Sequence, residues 1–356
     1  MKNLIIFIPS IENAGVEKNL FIICNFLIKK IDKIYLVTAN NNFNKKLDKK
    51  IHVVCPKNKF WNNKSRLLKT IYCFFLIINN FKKKNYLLFS FQANLVASII
   101  AKIFKYKLLL RLNTSPNKYI HNSFQSFFFK IIYKSADQII VNSKKFKSLL
   151  KKKLNINSKF IYNPVISKYK IKKKAKKIKK NLNILNIGRL TDQKDHLTLL
   201  RALHLLKKDK IKFTASIIGS GDKYKNLKEY IDKKNLKKEV QLLGYKPDGY
   251  KFMTKADVFI LSSKYEGLPN VLIEAQQSNT PIISSNCATG PSEILMDGKL
   301  GSLYPVGDYK KLYKEIKDFN YNKKKLIKKA NLAIKYLKRF DKDQYFKGVN
   351  SFLSDG

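Results

Sequence analysis

Short apolar runs alternate with longer amphipathic stretches along the whole chain. Residues 3–8, Ile34–Val37, His52–Val54, Leu87–Phe91, Leu108–Leu112 and Ala136–Val141 read as strands, most of them followed by a loop carrying Asn, Ser or Pro. Their apolar positions are consecutive rather than alternate, as in strands covered on both faces. Glu17–Lys30, Lys64–Phe81 and Gln92–Lys105 read as helices between them. On the second of these Ile71, Phe74, Ile78 and Phe81 share one face, which is predicted to be core. Asn142 or Ser143 is placed to cap the helix after Ala136–Val141.

The pattern stops after Phe160-Ile161-Tyr162-Asn163-Pro164-Val165. From Lys168 to Lys180 the chain is almost all Lys, with Ile, Tyr and Ala. Like charges at that density repel and resist packing, so this stretch is predicted to be a linker. The alternation then restarts with Asn183–Ile187, Phe213–Ile218, Val240–Leu243, residues 257–263 and Pro281–Ser285. Beyond Val306 the chain reads as helical to its end, the last helix spanning about Asp343 to Leu353. Strand-then-helix alternation in both halves predicts an α/β protein with two parallel-sheet domains. The boundaries fall at 1–165, a basic linker at 166–181, and 182–339.

Chemistry concentrates in the second half. The strand Asp257–Ser263 is followed by Glu266-Gly267-Leu268-Pro269-Asn270-Val271-Leu272-Ile273-Glu274. Pro269 suits a first helical position, where its missing N–H costs nothing. That places Glu266 in the loop at a strand's carboxyl end, the edge where open α/β sheets bind ligands. Glu274 falls more than a turn inside the helix. The helix amino end offers free N–H groups and partial positive charge, a seat for phosphate. Carboxylates beside such a seat would repel the anion, but they suit uncharged hydroxyls next to it. A ribose and a sugar joined by a diphosphate meet both demands. The loop after Asn183–Ile187 is Gly188-Arg189-Leu190-Thr191-Asp192-Gln193-Lys194-Asp195. Its two cations, Arg189 and Lys194, suit a diphosphate whose charge grows as it leaves. Gly219-Ser220-Gly221-Asp222 is a tight turn that either receives a ligand or only packs. Gly15, in the loop before the first helix, either lets the backbone approach a ligand or sits in an ordinary turn.

Together these residues resemble the retaining glycosyltransferases of the GT-B fold, family 4. The resemblance rests on the two Glu with seven residues between them and Gly-Leu-Pro after the first, on Arg189 and Lys194, and on the Gly219–Gly221 turn. It is close from Asn183 to Val306 and looser before that, where Ala14-Gly15-Val16-Glu17 lacks one of the family's two glycines. The resemblance implies two Rossmann-like domains facing each other across a cleft. The first would bind the acceptor and the second a nucleotide sugar, with the last helix, about 340–356, crossing back to the first. It implies that Glu266 touches the donor sugar and Glu274 the ribose. Gly244 and Tyr245 would lie at the base, and Gly188, Gly267, Leu268, Pro269 and Asn270 around the donor. Many members carry a His after the strand that here is Leu108–Leu112. This chain has Arg111 and Asn113 there, with His121 downstream, so Asn113 is the candidate for bonding a sugar hydroxyl. The implied reaction transfers a sugar, with retention, to a glycan or lipid-linked acceptor. The leaving phosphate itself would deprotonate that acceptor. No cofactor or metal is expected.

Composition narrows the alternatives. The chain has 356 residues, 45% of them apolar, enough for two packed cores. Met1-Lys2-Asn3 leads directly into the first strand without a signal-peptide pattern. Ile71–Ile78 is too short to span a bilayer. Cys24, Cys55, Cys73 and Cys287 are scattered, which fits a reducing cytoplasm and gives no metal site. The net charge of +49 fits nucleic acid, an anionic membrane, an acidic substrate or a Lys-rich compositional bias. Lys dominates over Arg, which speaks against base reading. Two other classes stay open: a sugar-nucleotide epimerase or phosphorylase on the same fold, and a basic nucleic-acid-binding protein. A dehydrogenase is disfavoured, because no Gly-x-Gly-x-x-Gly follows either first strand. Finally, Ser123–Lys134 is an aromatic helix flanked by Lys. Packing would bury most of its rings, but Phe127, Phe128 and Phe129 point in three directions and one face cannot bury all of them. A remaining exposed Phe beside Lys predicts reversible binding to an anionic membrane surface.

Overall fold

The computed structural model describes residues 3–11, 15–41, 47–82, 86–114, 120, 122–165 and 181–354. The predicted linker, up to Lys180, lies outside them, as do Glu12–Ala14, Lys83, Lys84, Ser115, Pro116 and His121. The chain divides into two compact units, Met1–Ile166 with Phe340–Gly356, and Ser167–Arg339.

The first unit runs β1 (Asn3–Phe7), α1 (Gly15–Leu27), β2 (Lys33–Val37), β3 (His52–Val54), α2 (Arg66–Asn80), β4 (Tyr86–Ser90), α3 (Asn94–Phe104), β5 (Lys107–Leu112), α4 (Ser123–Lys134), β6 (Gln138–Val141), α5 (Lys144–Leu154) and β7 (Lys159–Phe160). Among the described residues its strands form one parallel sheet in the order β3-β2-β1-β4-β5-β6-β7. Successive side chains of a strand point to opposite faces, and β1 shows it. Leu4 and Ile6 pack with Leu20, Ile23 and Leu27 of α1. Ile5 and Phe7 pack with the layer of α2, α3, α4 and α5, through Cys73, Ile77, Ile100, Ile132 and Phe146. Both faces are covered, which is why the strand runs are continuously apolar.

The second unit runs β8 (Leu182–Ile187), α6 (His196–Lys208), β9 (Phe213–Ile218), α7 (Tyr224–Lys233), β10 (Val240–Leu242), α8 (Tyr250–Met253), β11 (Val258–Leu261), α9 (Asn270–Gln277), β12 (Ile282–Ser285), α10 (Pro291–Ile294), β13 (Ser302–Tyr304), α11 (Tyr309–Tyr321) and α12 (Lys323–Ile334). Its sheet is parallel, in the order β10-β9-β8-β11-β12-β13. In both units the first strand is central and the order reverses beside it, the doubly wound Rossmann-like topology. The final helix, α13 (Lys342–Ser354), belongs to the first unit. Its Tyr345, Phe346 and Val349 join the core beside α1, and Gly348 leaves space only for the Ile161 side chain. Among the described residues no helix is long and apolar enough to cross a membrane.

Several helix starts follow the cap rule. Ser65, Asn122 and Ser143 accept hydrogen bonds from the N–H of Leu68, Gln125 and Phe146. The cap of α5 is therefore Ser143, not Asn142. Two expectations about faces are corrected. On α2 the core side is Thr70, Cys73 and Ile77; of the predicted stripe Phe81 lies in the core, Phe74 and Ile78 are half-buried, and Ile71 is exposed. This helix is apolar nearly all round, so its periodicity does not select a face. On α4 only Ile132 and Tyr133 are buried, and Phe124, Phe127 and Phe128 are exposed.

Arg111 is turned inward on β5 and is 1% exposed. Its Nη2 donates to Asn163 Oδ1 at 2.7 Å, and its guanidinium lies 4.9 Å from the centre of the Phe91 ring. Burial lowers its pKa, with Tyr345 opposing. Nη1 has no partner among the described residues. A buried charge that loses a partner is costly, while removing the charge as well is cheaper. Asn163→Ala should therefore destabilise the first unit by about 2–3 kcal/mol, and Arg111→Met by less. Urea unfolding followed by Trp61, the chain's one tryptophan, reads both. An Asn163→Ala variant as stable as the parent would show that the guanidinium needs no such partner.

Candidate active site

The strand order of the second unit reverses between β8 and β11, which pair directly. Loops leaving the carboxyl ends of such strands diverge and open a crevice. The loop after β8 carries Gly188, Arg189 and Lys194. The loop after β11 carries Glu266 and Gly267 and runs into α9.

These two loops are tied to each other. Lys194 Nζ meets Glu266 Oε1 at 2.5 Å, with side-chain exposures of 17% and 8%. Ser263 Oγ donates to the same Oε1 at 2.7 Å. The other oxygen, Oε2, makes no hydrogen bond to the described residues. The tie continues along the backbone. Ser262 Oγ donates to the Lys194 carbonyl at 2.8 Å, Lys264 N–H to the Gln193 carbonyl at 2.8 Å, and Gln193 Nε2 to the Tyr265 carbonyl at 3.0 Å. Arg189 is exposed on the same loop. Burial raises the pKa of the Tyr265 phenol, and the charge of Arg189 partly counters it. Lys194 is thus paired with Glu266, a pairing the sequence did not disclose.

Helix α9 begins at Asn270, and Pro269 is its cap residue with extended ψ of 101°. The proline thus lies one position earlier than expected, still outside the hydrogen-bonded turn where its missing N–H would matter. Glu274 is the fifth helical residue and half-buried. Leu268 and Asn270 are buried. Thr289 and Gly290 were not singled out in the sequence, yet they support this loop. Thr289 Oγ1 donates to the Glu266 carbonyl. A Cβ on Gly290, at φ +90°, would fall 2.5 Å from the Gly267 carbonyl oxygen.

The glycine turn after β9 has a structural task. A Cβ on Gly219 would meet the Gly188 carbonyl oxygen at 1.8 Å, and one on Gly221 the Leu190 carbonyl oxygen at 2.3 Å. Gly219 N–H also donates to the Gly244 carbonyl at 2.9 Å. These glycines stack the loops after β8, β9 and β10 backbone on backbone. The Tyr245 side chain next to Gly244 is exposed. Gly15 and Asn113 belong to the other unit. Gly15 opens α1, and Asn113 Nδ2 donates to the Phe91 carbonyl at 2.8 Å, which fixes it at the carboxyl end of β5. A cavity of about 560 Å³ beside Asn183, Thr214 and Asp257 lies at the opposite, amino edge of the second sheet. Parallel strands meet ligands at their carboxyl edge, so we assign the site to the Lys194–Glu266 end.

Comparison with known proteins identifies the enzyme class and the fold. Residues 167–340 match the family described as Glycosyl transferases group 1. Over 99% of this chain and 100% of its own length, the N-acetylgalactosamine-N,N'-diacetylbacillosaminyl-diphospho-undecaprenol 4-alpha-N-acetylgalactosaminyltransferase of Campylobacter jejuni is 28% identical. An uncharacterized glycosyltransferase of Methanocaldococcus jannaschii is 32% identical over 65% of this chain, a match spanning 62% of that protein. Among solved structures, Anabaena HepE in complex with UDP and glucose superposes with a TM-score of 0.78 at 19% identity, covering 100% of both chains. A mutant of Staphylococcus aureus TarM, in complex with Fondaparinux, alpha-GlcNAc-glycerol and UDP, superposes with a TM-score of 0.76 at 14% identity, covering 99% of each. The structural matches show the fold, which is GT-B.

His196 adds a pH dependence at the same loop. It is the first residue of α6, follows the cap Asp195, and is 2% exposed. Neither ring nitrogen has a partner among the described residues. Burial, then Lys194, lowers its pKa to about 4. The unfolded chain binds this proton near pH 6.5 and the folded chain only near 4, so stability is full above 6.5 and falls as pH drops through that window. Between pH 6.5 and pH 5 the loss should be about 2 kcal/mol. His196→Leu should flatten that part of the stability–pH curve, read by urea unfolding at each pH. A variant whose curve parallels the parent's would assign the dependence to other groups.

Proposed function

We propose that this glycosyltransferase moves a sugar from a UDP-linked donor to a lipid-linked or polymer-bound glycan, with its anomeric configuration retained and without a metal cofactor. The observation that carries the reading is the Lys194–Glu266 pair at the reversal point of the second sheet, beside Arg189 and the amino end of α9. The relatives support it: one is named for a diphospho-undecaprenol acceptor, and two solved structures hold UDP. In this reading the chain takes part in synthesis of a surface polysaccharide or glycoconjugate and acts at the cytoplasmic side of an anionic membrane.

In this reading the diphosphate lies between Arg189, Lys194 and the first N–H groups of α9. As the bond from the sugar C1 to the phosphate oxygen breaks, these groups take up the growing negative charge. Glu266 holds Lys194 through Oε1 and offers Oε2 to a sugar hydroxyl. Glu274, a turn further along α9, serves the ribose, and the backbone at Gly244 the base. The acceptor oxygen forms the new bond to C1 on the face the phosphate leaves, and its proton passes to a leaving phosphate oxygen. No protein base is required. An epimerase or phosphorylase on the same fold would consume donor without an acceptor, or with inorganic phosphate, which the same assays detect.

Glu266→Ala and Glu274→Ala should each lower kcat/KM by roughly 10- to 100-fold or more, the loss of a charge-assisted hydrogen bond. Glu266→Ala also frees Lys194. The Glu266→Ala/Lys194→Ala double variant should therefore lose less than the product of the single losses, a coupling of about 1–3 kcal/mol. Strictly multiplicative losses would mean that the pair does not act as a unit.

Arg189→Ala should appear chiefly in kcat, because it meets charge that develops in the transition state. Turnover should survive EDTA. If chelation abolishes turnover and Mg²⁺ or Mn²⁺ restores it, cations from the chain are not what stabilises the leaving group.

A further inference from the structure

The outer surface of the α2–α3–α4 layer is apolar, and the reaction described above does not use it. The inner sides of these helices pack on the sheet, but each carries a second apolar stripe facing outward. On α2, Leu68, Ile71 and Phe75 recur at helical spacing and are exposed, with Leu67 beside them. On α3 the stripe is Leu95, Ile99 and Ile103. On α4 it is Phe124, Phe127, Phe128 and Ile131, with Phe124 78% exposed. Most of the exposed large hydrophobic residues of the described chain lie on these three helices. The stripes are neighbours, since α2 touches α3 and α3 touches α4. A helix that is apolar on both sides has two partners, and a patch of this extent on one surface marks a docking face.

Charge selects the occupant. No Asp or Glu occurs between Asp48 and Asp137, a span that contains all three helices. Lys102 follows Ile99 by three residues on α3, Lys134 follows Ile131 by three on α4, and both are exposed. A second copy of the chain would set like charges against each other. A layer of anionic headgroups over hydrocarbon takes both features, the ammonium heads at the phosphates and the rings below them.

We propose that the α2–α3–α4 face of the first unit seats on an anionic lipid bilayer, with Phe124, Phe127 and Phe128 entering the boundary between headgroups and acyl chains. The proposal deepens the membrane side of the function proposed above, since a lipid-linked acceptor gives the docking a purpose. The test is sedimentation of the full chain with vesicles of phosphatidylcholine alone, or mixed with phosphatidylglycerol, at low and high salt. The chain should sediment with the mixed vesicles, less at high salt as charge is screened, and not with the neutral ones. Phe124→Ser/Phe127→Ser/Phe128→Ser should lower the bound fraction about tenfold or more, and Lys102→Glu/Lys134→Glu should lower it too. Both variants should keep the parent's melting temperature and its thermal shift with UDP-sugar. Absence of sedimentation at low salt overturns the proposal, as does a triple Phe variant that binds like the parent. A dimer in sedimentation velocity that the triple variant dissolves would overturn it in favour of a contact between copies. A parent chain that fails to bind the mixed vesicles yet keeps its UDP-sugar shift rejects the docking face alone. Vesicle binding without any donor shift or turnover rejects the transferase reading instead.

Discussion

The second unit depends on one cross-loop ion pair. Lys194 and Glu266 sit on loops that leave adjacent strands in a reversed order. Loops at such a point have no shared strand to hold them together, and their divergence makes the crevice. The pair spans it, and Ser262, Gln193 and Lys264 tie the backbones on either side. Both charges are largely withdrawn from water, so each depends on the other for compensation. The cation is thereby fixed in place by the fold itself. A fixed charge need not reorganise when negative charge develops.

A second constraint surrounds the first. At Gly219, Gly221 and Gly290 the backbone is stacked so closely that a neighbouring carbonyl, of Gly188, Leu190 and Gly267 in turn, occupies the place of a side chain. The stack sets the height of the loop bearing Arg189 and of the turn before α9. Glycine at these sites is thus required by neighbouring backbone whether or not a ligand is present. The same residues therefore read equally well as a turn and as a ligand cradle from sequence.

The architecture was legible because both sheets are buried on two sides. Continuous runs such as Ile5–Phe7 and Phe259–Leu261 leave little choice but parallel strands, and the Lys-rich stretch separates two such sets. The residue types at the strand ends were legible too, since Arg is scarce in this chain and Glu-Gly-Leu-Pro is distinctive. The pairing between them was not. Lys194 and Glu266 are 72 positions apart, and no local pattern says which Lys of so many meets which carboxylate. Thr289 and Gly290 act through the carbonyls of Glu266 and Gly267, so their own side-chain chemistry gives no signal. The inward face of α2 was misread for a related reason. A helix with apolar residues on every side has no period to follow, and only the sheet decides which side is inward.

That same ambiguity separates bias from function in the composition. Lys is abundant along the entire chain, so a Lys at any one position says little. Carboxylates are few, and their distribution carries more information. They are present where the second unit uses them, in Glu266, which pairs with Lys194, in Glu274 on α9, and in caps such as Asp195 and Asp308. They are missing through the whole span from Asp48 to Asp137. A uniform preference for Lys does not require such a gap, nor does it turn phenylalanines outward on α4. Water-facing rings lose the benefit of burial and expose the chain to association. Repulsion among the lysines keeps copies apart without hindering approach to a negatively charged layer. The gap in carboxylates and the outward rings thus fall on the same three helices, and each makes the other tolerable.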